Sequence, residues 1–254
     1  MARSKPDVDA RVAGTFAMTA RVTQAVNVRG EHRGQLLRRT WTVRPQNCSG
    51  AICASLLLDR QRSAGRHDTL TLFRTGRGVY AGHGAFDVPL RCRGVVYEQG
   101  AHAPYRIALH IRSARLVQGI PFAGFIRATY VNRFRRNTTP CRLGASHDAA
   151  RYSGAVQALP GAPAPSFTAT PNGMSVAFTD TSQPGAGGSP IAARQWDFGD
   201  GTTAADPAPT HDYATPGTYT ATLTVTDENG FTATTSQAVT VPGSAASPAR
   251  RAAP

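Results

Sequence analysis

Trp196-Asp197-Phe198-Gly199-Asp200-Gly201 decides how the C-terminal third of this chain is read. Trp196 and Phe198 stand two residues apart, so a strand through them points both rings to one face. Gly199-Asp200-Gly201 then supplies a turn, because glycine takes positive φ without a steric clash and Asp200 accepts backbone N–H bonds. Downstream, Tyr219, Ala221, Leu223 and Val225 alternate with Thr218, Thr220, Thr222, Thr224 and Thr226. That is the period of a strand with one buried face and one threonine-coated face. Further strands are expected over Met174–Thr179, after the turn Pro171-Asn172-Gly173, and over Phe231–Val241, after Asp227-Glu228-Asn229-Gly230. Short strands at this spacing, separated by turn residues, predict a seven-stranded sandwich over residues 163–242. Trp196, Phe198, Tyr219, Leu223 and Val225 are its expected core.

Taken with His211-Asp212-Tyr213, Pro216-Gly217-Thr218-Tyr219 and Leu223-Thr224-Val225-Thr226-Asp227, this segment resembles the PKD (polycystic kidney disease) domain family from about Pro163 to Pro242. The resemblance implies an immunoglobulin-like β-sandwich in a cell-surface protein or a secreted hydrolase. It speaks to architecture rather than activity, since the family's functions are diverse. Asp197 and Asp200, with Asp180, Asp206, Asp212 or Asp227, carry enough oxygens to suggest Ca²⁺. The preferred reading is that Asp197 and Asp200 fasten their own turn, so no metal and no cofactor are expected. Trp196, in the middle of an apolar strand, is expected in the core rather than as an exposed sugar-stacking platform.

Charge divides the chain of 254 residues. Residues 1–160 hold 25 Lys+Arg against 8 Asp+Glu, whereas residues 161–242 hold 1 against 7. Two domains are therefore expected: an Arg-rich β domain over 10–159 and a sandwich over 166–242, joined by a Pro/Ala linker at 160–165. Residues 243–254 are expected to be a disordered tail.

The N-terminal domain also reads as β. Candidate strands are Thr15–Val26, Gln35–Val43, Ala51–Leu58, Thr69–Thr75, Val79–Val88, Arg93–Glu98, Tyr105–Leu116, Phe122–Val131 and Tyr152–Leu159. No amphipathic helix is evident. The fold class expected is all-β, with an antiparallel barrel-like N-terminal domain, because closure removes exposed strand edges. All four cysteines lie here, and Cys48 with Cys53 brackets a Ser-Gly turn, which leaves Cys92 with Cys141. Of the three possible connectivities this is the preferred one. Zinc is disfavoured because there is no second close ligand pair. Disulfides and the PKD resemblance both point to an oxidising, extracellular or cell-surface setting. Residues 1–10 lack the apolar core of a signal peptide, and no stretch is long enough to span a bilayer as a helix.

Catalytic motifs are scarce. Ser146-His147-Asp148 holds the residue types of a hydrolase triad, but sequence neighbours point apart and cannot relay a proton. There is no His-Glu-x-x-His and no Gly-x-Ser-x-Gly. The functional lead is the basic excess, above all Tyr130-Val131-Asn132-Arg133-Phe134-Arg135-Arg136-Asn137. Arginines interleaved with aromatics hold phosphate, sulfate or carboxylate groups while stacking on a ligand. Tyr130, Arg133, Phe134, Arg135 and Arg136 are the candidate site residues. The expected function is non-enzymatic binding or adhesion. The basic domain takes an anionic polysaccharide or cell-surface polymer, and the PKD-like module is a spacer or contacts protein or polysaccharide. An extracellular hydrolase acting on polysaccharide or protein is the alternative, and a nucleic-acid-binding protein the second. Nucleic acid is disfavoured by the cysteines and the PKD resemblance. No oligomeric state is assigned.

Overall fold

The structure, a computed structural model, describes residues 7–242 apart from 29, 63–64, 142–145 and 188. The expected tail at 243–254 lies outside the described residues. The chain divides into two compact units between Leu159 and Pro160. Both are built from strands, and the described residues contain no α-helix.

In the first unit, β1 (Gly14–Val26), β2 (Leu36–Ser49), β3 (Ile52–Gln61), β4 (His67–Gly76), β5 (Val79–Cys92), β6 (Val95–Val117) and β7 (Ile120–Asn132) pair antiparallel, each with the next. After β8 (Arg136–Asn137), which adds to β6, β9 (His147–Ala158) pairs with both β7 and β1. The pairing therefore closes into a ring, and successive side chains point alternately inward and outward. Phe16, Met18 and Ala20 of β1, Trp41 and Val43 of β2, Leu56 and Leu58 of β3, and Ile107, Leu109 and Ile111 of β6 are all buried in one cluster. Closure needs close backbone approaches at a few points. A Cβ on Gly84 would stand 2.4 Å from the Tyr105 hydroxyl, so this glycine makes room for that ring.

One end of the ring is covered by the chain leading into β1. Val8 N donates to Ile111 O (3.1 Å), Arg11 N to Pro121 O (2.9 Å) and Ala123 N to Arg11 O (2.8 Å), while Ala10, Val12 and Ala13 are buried. Asp7 binds Arg112 at 2.7 Å and His110 at 2.9 Å, Asp9 accepts from the Gly78 amide at 2.9 Å, and Arg11 Nε donates to Gly50 O at 2.7 Å. These contacts fall at the β2–β3 and β4–β5 turns, at the start of β7, and on His110–Arg112 of β6 beside the β4–β5 turn, so the strap leaves the opposite end of the ring open.

Two of the expected strands merge. Most of Arg93–Glu98 and all of Tyr105–Leu116 belong to the single 23-residue β6, with Arg93 and Gly94 in the turn before it. Gly100 and Pro104 suggest a break, yet pairing with β5 continues past both, with a bulge opposite Val88 to Leu90 absorbing the irregularity. The β5–β6 hairpin therefore runs beyond its neighbours at the open end. There Cys92 is bonded to Cys141, while Cys48 and Cys53 are bonded across the β2–β3 turn.

Among its described residues the second unit has seven strands in two sheets. β10 (Phe167–Asn172), β11 (Ser175–Asp180) and β14 (Thr210–Asp212) form one, and β12 (Ile191–Asp197), β13 (Thr203–Ala204), β15 (Gly217–Asp227) and β16 (Thr232–Val241) the other. Trp196, Leu223 and Val225 are fully buried and Phe198 nearly so. Trp196 meets the Phe167 ring edge-on at 5.2 Å and donates from Nε1 to Asp206 O at 2.8 Å. Tyr219 differs from expectation: it is half-buried, stacked on Tyr213 at 4.1 Å with its hydroxyl donating to Thr215 O at 2.9 Å. Buried Tyr213 takes the interior place instead, its hydroxyl donating to Phe198 O at 3.0 Å.

Candidate functional site

The open end of the ring holds a cleft of about 600 Å³. Its origin is legible along β3, where Leu56 and Leu58 face inward and Arg60, two residues on, keeps the same facing. Arg60 is 5 % exposed at its side chain and makes a bidentate pair with Asp68 at 2.6 and 2.8 Å. Its guanidinium lies 4.2 Å from the ring centre of Tyr105 and 4.9 Å from that of Tyr130. Burial disfavours the Arg60 charge, but the Asp68 carboxylate outweighs it and the guanidinium stays protonated. This clamp is the floor, and the apolar core lies beneath it.

Above the floor, Arg39, Arg62, Arg66 and Arg135 line the walls with Phe86 and Tyr152. Arg62 stacks its guanidinium 3.4 Å from the Phe86 ring centre, which fixes the plane of its donor fork. Arg135 reaches Asp148 at 2.7 Å through one terminal nitrogen, and its buried Nε has no hydrogen-bond partner among the described residues. Asp148 is itself buried, beside Tyr130. Burial raises the Tyr130 hydroxyl pKa well above the usual phenol range, and the Asp148 charge adds to it. Glu31 also lines the cleft. Burial and then the nearby Asp148 charge raise its pKa, so it gives up its proton less readily than an exposed glutamate.

The expected site residues separate here. Tyr130, last inward aromatic of β7, and Arg135 both line the cleft. Arg133, Phe134 and Arg136 do not; they are exposed, and Arg136 lies in β8 opposite His102. Residues 133–135 have no ladder to set their facing, and of the three arginines only Arg135 reaches the cleft. Reasoning from the run of charge missed Arg39, Arg60, Arg62, Arg66 and Asp148; the signal for Arg39 and Arg60 was arginine on the apolar parity of a strand, while Arg62 and Arg66 come from the segment between β3 and β4. Asp148, from the dismissed Ser146-His147-Asp148, serves Arg135.

In the second unit the turn after β12 is held by its own carboxylates. Asp197 accepts from the Gly199 amide at 2.9 Å, and Asp200 accepts from the Thr202 amide at 3.0 Å and hydroxyl at 2.6 Å. His211 Nε2 lies 2.7 Å from the other Asp200 oxygen, with its ring stacked 4.2 Å from Phe198. Burial pushes the Asp200 pKa up, but bonds from Thr202 and His211 outweigh it and hold it at about 2. Residues 157–241 match the family model described as PKD domain. The C-terminal unit carries a PKD domain.

Segments similar to this part of the chain occur in much longer bacterial proteins. Over 84 residues, 32% of this chain and 10% of the relative, the chain is 38% identical to a microbial collagenase of Vibrio alginolyticus. Over 80 residues, 32% of this chain and 8% of the relative, it is 40% identical to the pre-pro-metalloprotease PrtV of Vibrio cholerae. The chain thus spans about a tenth of the length of the curated relatives it matches. Among solved structures, the PKD1 domain of Vibrio anguillarum Epp is 33% identical, with 34% of this chain and 99% of that one covered and a TM-score of 0.32. The matched part is in each case about a third of this chain, the share taken by the PKD domain.

Proposed function

We propose that this chain is a secreted or cell-surface binding protein in which the N-terminal ring takes an anionic group of a polymer or surface into its arginine cleft. The PKD domain acts as a spacer or makes protein or polysaccharide contacts. The observation that carries the reading is the cleft: Arg39, Arg60, Arg62, Arg66 and Arg135 open to one end of a closed ring, around aromatic rings. Such a mouth attracts anions and desolvates them against fixed donors. The two disulfides and a PKD domain of the kind found in a bacterial collagenase and a pre-pro-metalloprotease support an extracellular setting.

The test is retention of the full chain on immobilised polygalacturonate, heparin and polyphosphate across a salt gradient. Arg62→Ala with Arg66→Ala should elute earlier on whichever matrix binds, with a flatter salt dependence. Arg133→Ala with Arg136→Ala should change retention less, because these side chains are exposed outside the cleft. Unaltered retention of the Arg62/Arg66 variant would overturn the assignment to the cleft.

One observation favours a hydrolase as the second reading: Glu31, with its raised pKa, shares the cleft with Asp148. Glycoside hydrolysis uses a pair of carboxyl groups, one of them an acid of raised pKa. Release of reducing ends from acidic polysaccharide, abolished in Glu31→Gln, would establish it.

A further inference from the structure

Resting on the cleft reading above, we propose that the cleft recognises a uronic-acid sugar at the end of a chain, with its carboxylate on Arg62 and Arg135 and its hydroxyls on Asp148, Glu31 and Gln61. The walls are not uniformly cationic. Glu31 and Asp148 stand among the arginines, and Gln61 offers an amide. With Asp148 already paired to Arg135 and carboxyl groups set among the cations, the wall is poorly matched to a densely sulfated or phosphorylated chain, whose every charge beyond the first needs a further cation. A sugar bearing a single carboxylate needs this mixture: its ring hydroxyls are donors that require acceptors, and its acid requires a cation.

The cations are arranged for a planar acid. Stacking on Phe86 fixes the plane of the Arg62 fork, and Arg135 spends a terminal nitrogen on Asp148 while its Nε, buried and unpartnered among the described residues, is left for an acceptor. Carboxylate oxygens match such forks in two parallel hydrogen bonds, a geometry an ammonium cannot supply. Among the described residues Arg62 has no ion-pair partner, so this cation is not already spent inside the protein.

The restriction to a chain end follows from the closed ring. Arg60, clamped by Asp68 between Tyr105 and Tyr130, seals the bottom of the cleft, the core below is filled, and the strap over Val8 to Ala13 covers the far end. A polymer has no exit through the ring. A residue that reaches Arg62 and Arg135 enters from the mouth and must be terminal. The cleft's 600 Å³ lies in the range of small-molecule sites rather than of a groove that follows a polymer.

Isothermal titration of the full chain with oligogalacturonates of defined length tests this, beside heparin oligosaccharides and neutral cello-oligosaccharides. The expected result is one protein per oligomer at saturation for short and long chains alike, with Kd per molecule constant within about threefold, a difference below 1 kcal/mol. Arg62→Lys should weaken oligogalacturonate binding about tenfold, since the charge stays and the fork is lost. Near-ultraviolet circular dichroism shows that this variant is folded. Several proteins on one long oligomer, or heparin fragments bound more tightly than uronates, would overturn the end-on uronate proposal and leave anion binding in the cleft standing. Binding of no anionic oligomer at all would overturn both.

Discussion

Changing Asp68 to Asn tests the floor of the cleft most directly. Asp68 is 11% exposed at its side chain and Arg60 5%, and two hydrogen bonds of 2.6 and 2.8 Å join them. The amide is nearly isosteric, so packing is preserved while the countercharge disappears. Arg60 is then a cation between two tyrosine rings, 4.2 and 4.9 Å from their centres, with no carboxylate beside it. Breaking a buried pair at one partner costs about 3–5 kcal/mol, because the remaining charge stays out of water. Urea slopes of roughly 1–3 kcal/mol/M turn this into a midpoint lowered by at least about 1 M. The chain has two tryptophans, Trp41 in the ring and Trp196 in the PKD domain, and both are fully buried. In a Trp196→Phe background, fluorescence follows the ring alone. Replacing both partners, as Arg60→Met with Asp68→Leu, removes the charge together with its compensation, and Met fills the slot between the rings. That double variant should fall within about 2 kcal/mol of the parent, well above the single one. An Asp68→Asn midpoint equal to the parent's would show that water reaches Arg60, and the sealed floor would have to be abandoned.

Trp196→Ala should cost the PKD domain about 3–5 kcal/mol, the range for emptying a large aromatic core site, seen as a lowered midpoint in its calorimetric transition. Asp200 in the folded domain sits at about 2 against an ordinary 3.8, so its stabilisation is full above pH 3.8 and is lost as pH falls from there through 2. Thr202→Ala removes the 2.6 Å hydroxyl donor and should raise the Asp200 carboxyl pKa in an NMR titration, bringing acid unfolding to higher pH. Replacing Cys92 and Cys141 by Ser opens a loop of sequence separation 49 and should cost the ring on the order of 4 kcal/mol by loop-closure entropy, measured by urea unfolding. Non-reducing peptide mapping of the parent should recover both disulfide-linked pairs.

What sequence alone determined here is what depends on near neighbours. Alternation along Thr218–Asp227 and the paired rings of Trp196 and Phe198 read directly as strands, because each side chain's facing follows from the one before it. The Gly199-Asp200-Gly201 turn was legible for the same reason: its bonds to Asp197 and Asp200 reach only two residues along the chain. The Cys48–Cys53 bridge also lies within one hairpin. Tyr219 and Tyr213 show the limit of this reading. Parity placed Tyr219 inward, but at the sheet's end the neighbouring Tyr213 fills the interior and Tyr219 stacks over it.

Tertiary structure alone decided which arginines form the cleft. Inward parity on β3 is a local property, but the meaning of Arg60 depends on Asp68 from the next strand, Tyr105 from β6 and Tyr130 from β7. Ring closure is the physical cause, for it brings the end of β1 against the start of β9, far apart in sequence, and so gathers Glu31, Arg39, Arg62, Arg135 and Asp148 at one mouth. The same closure explains why, of Arg133, Arg135 and Arg136, near neighbours along the chain, only Arg135 lines the cleft. Between β7 and β8 no ladder dictates facing, Arg136 is held in β8 against β6, and only Arg135 is drawn into the cleft, by a carboxylate on a strand that pairs across from β7.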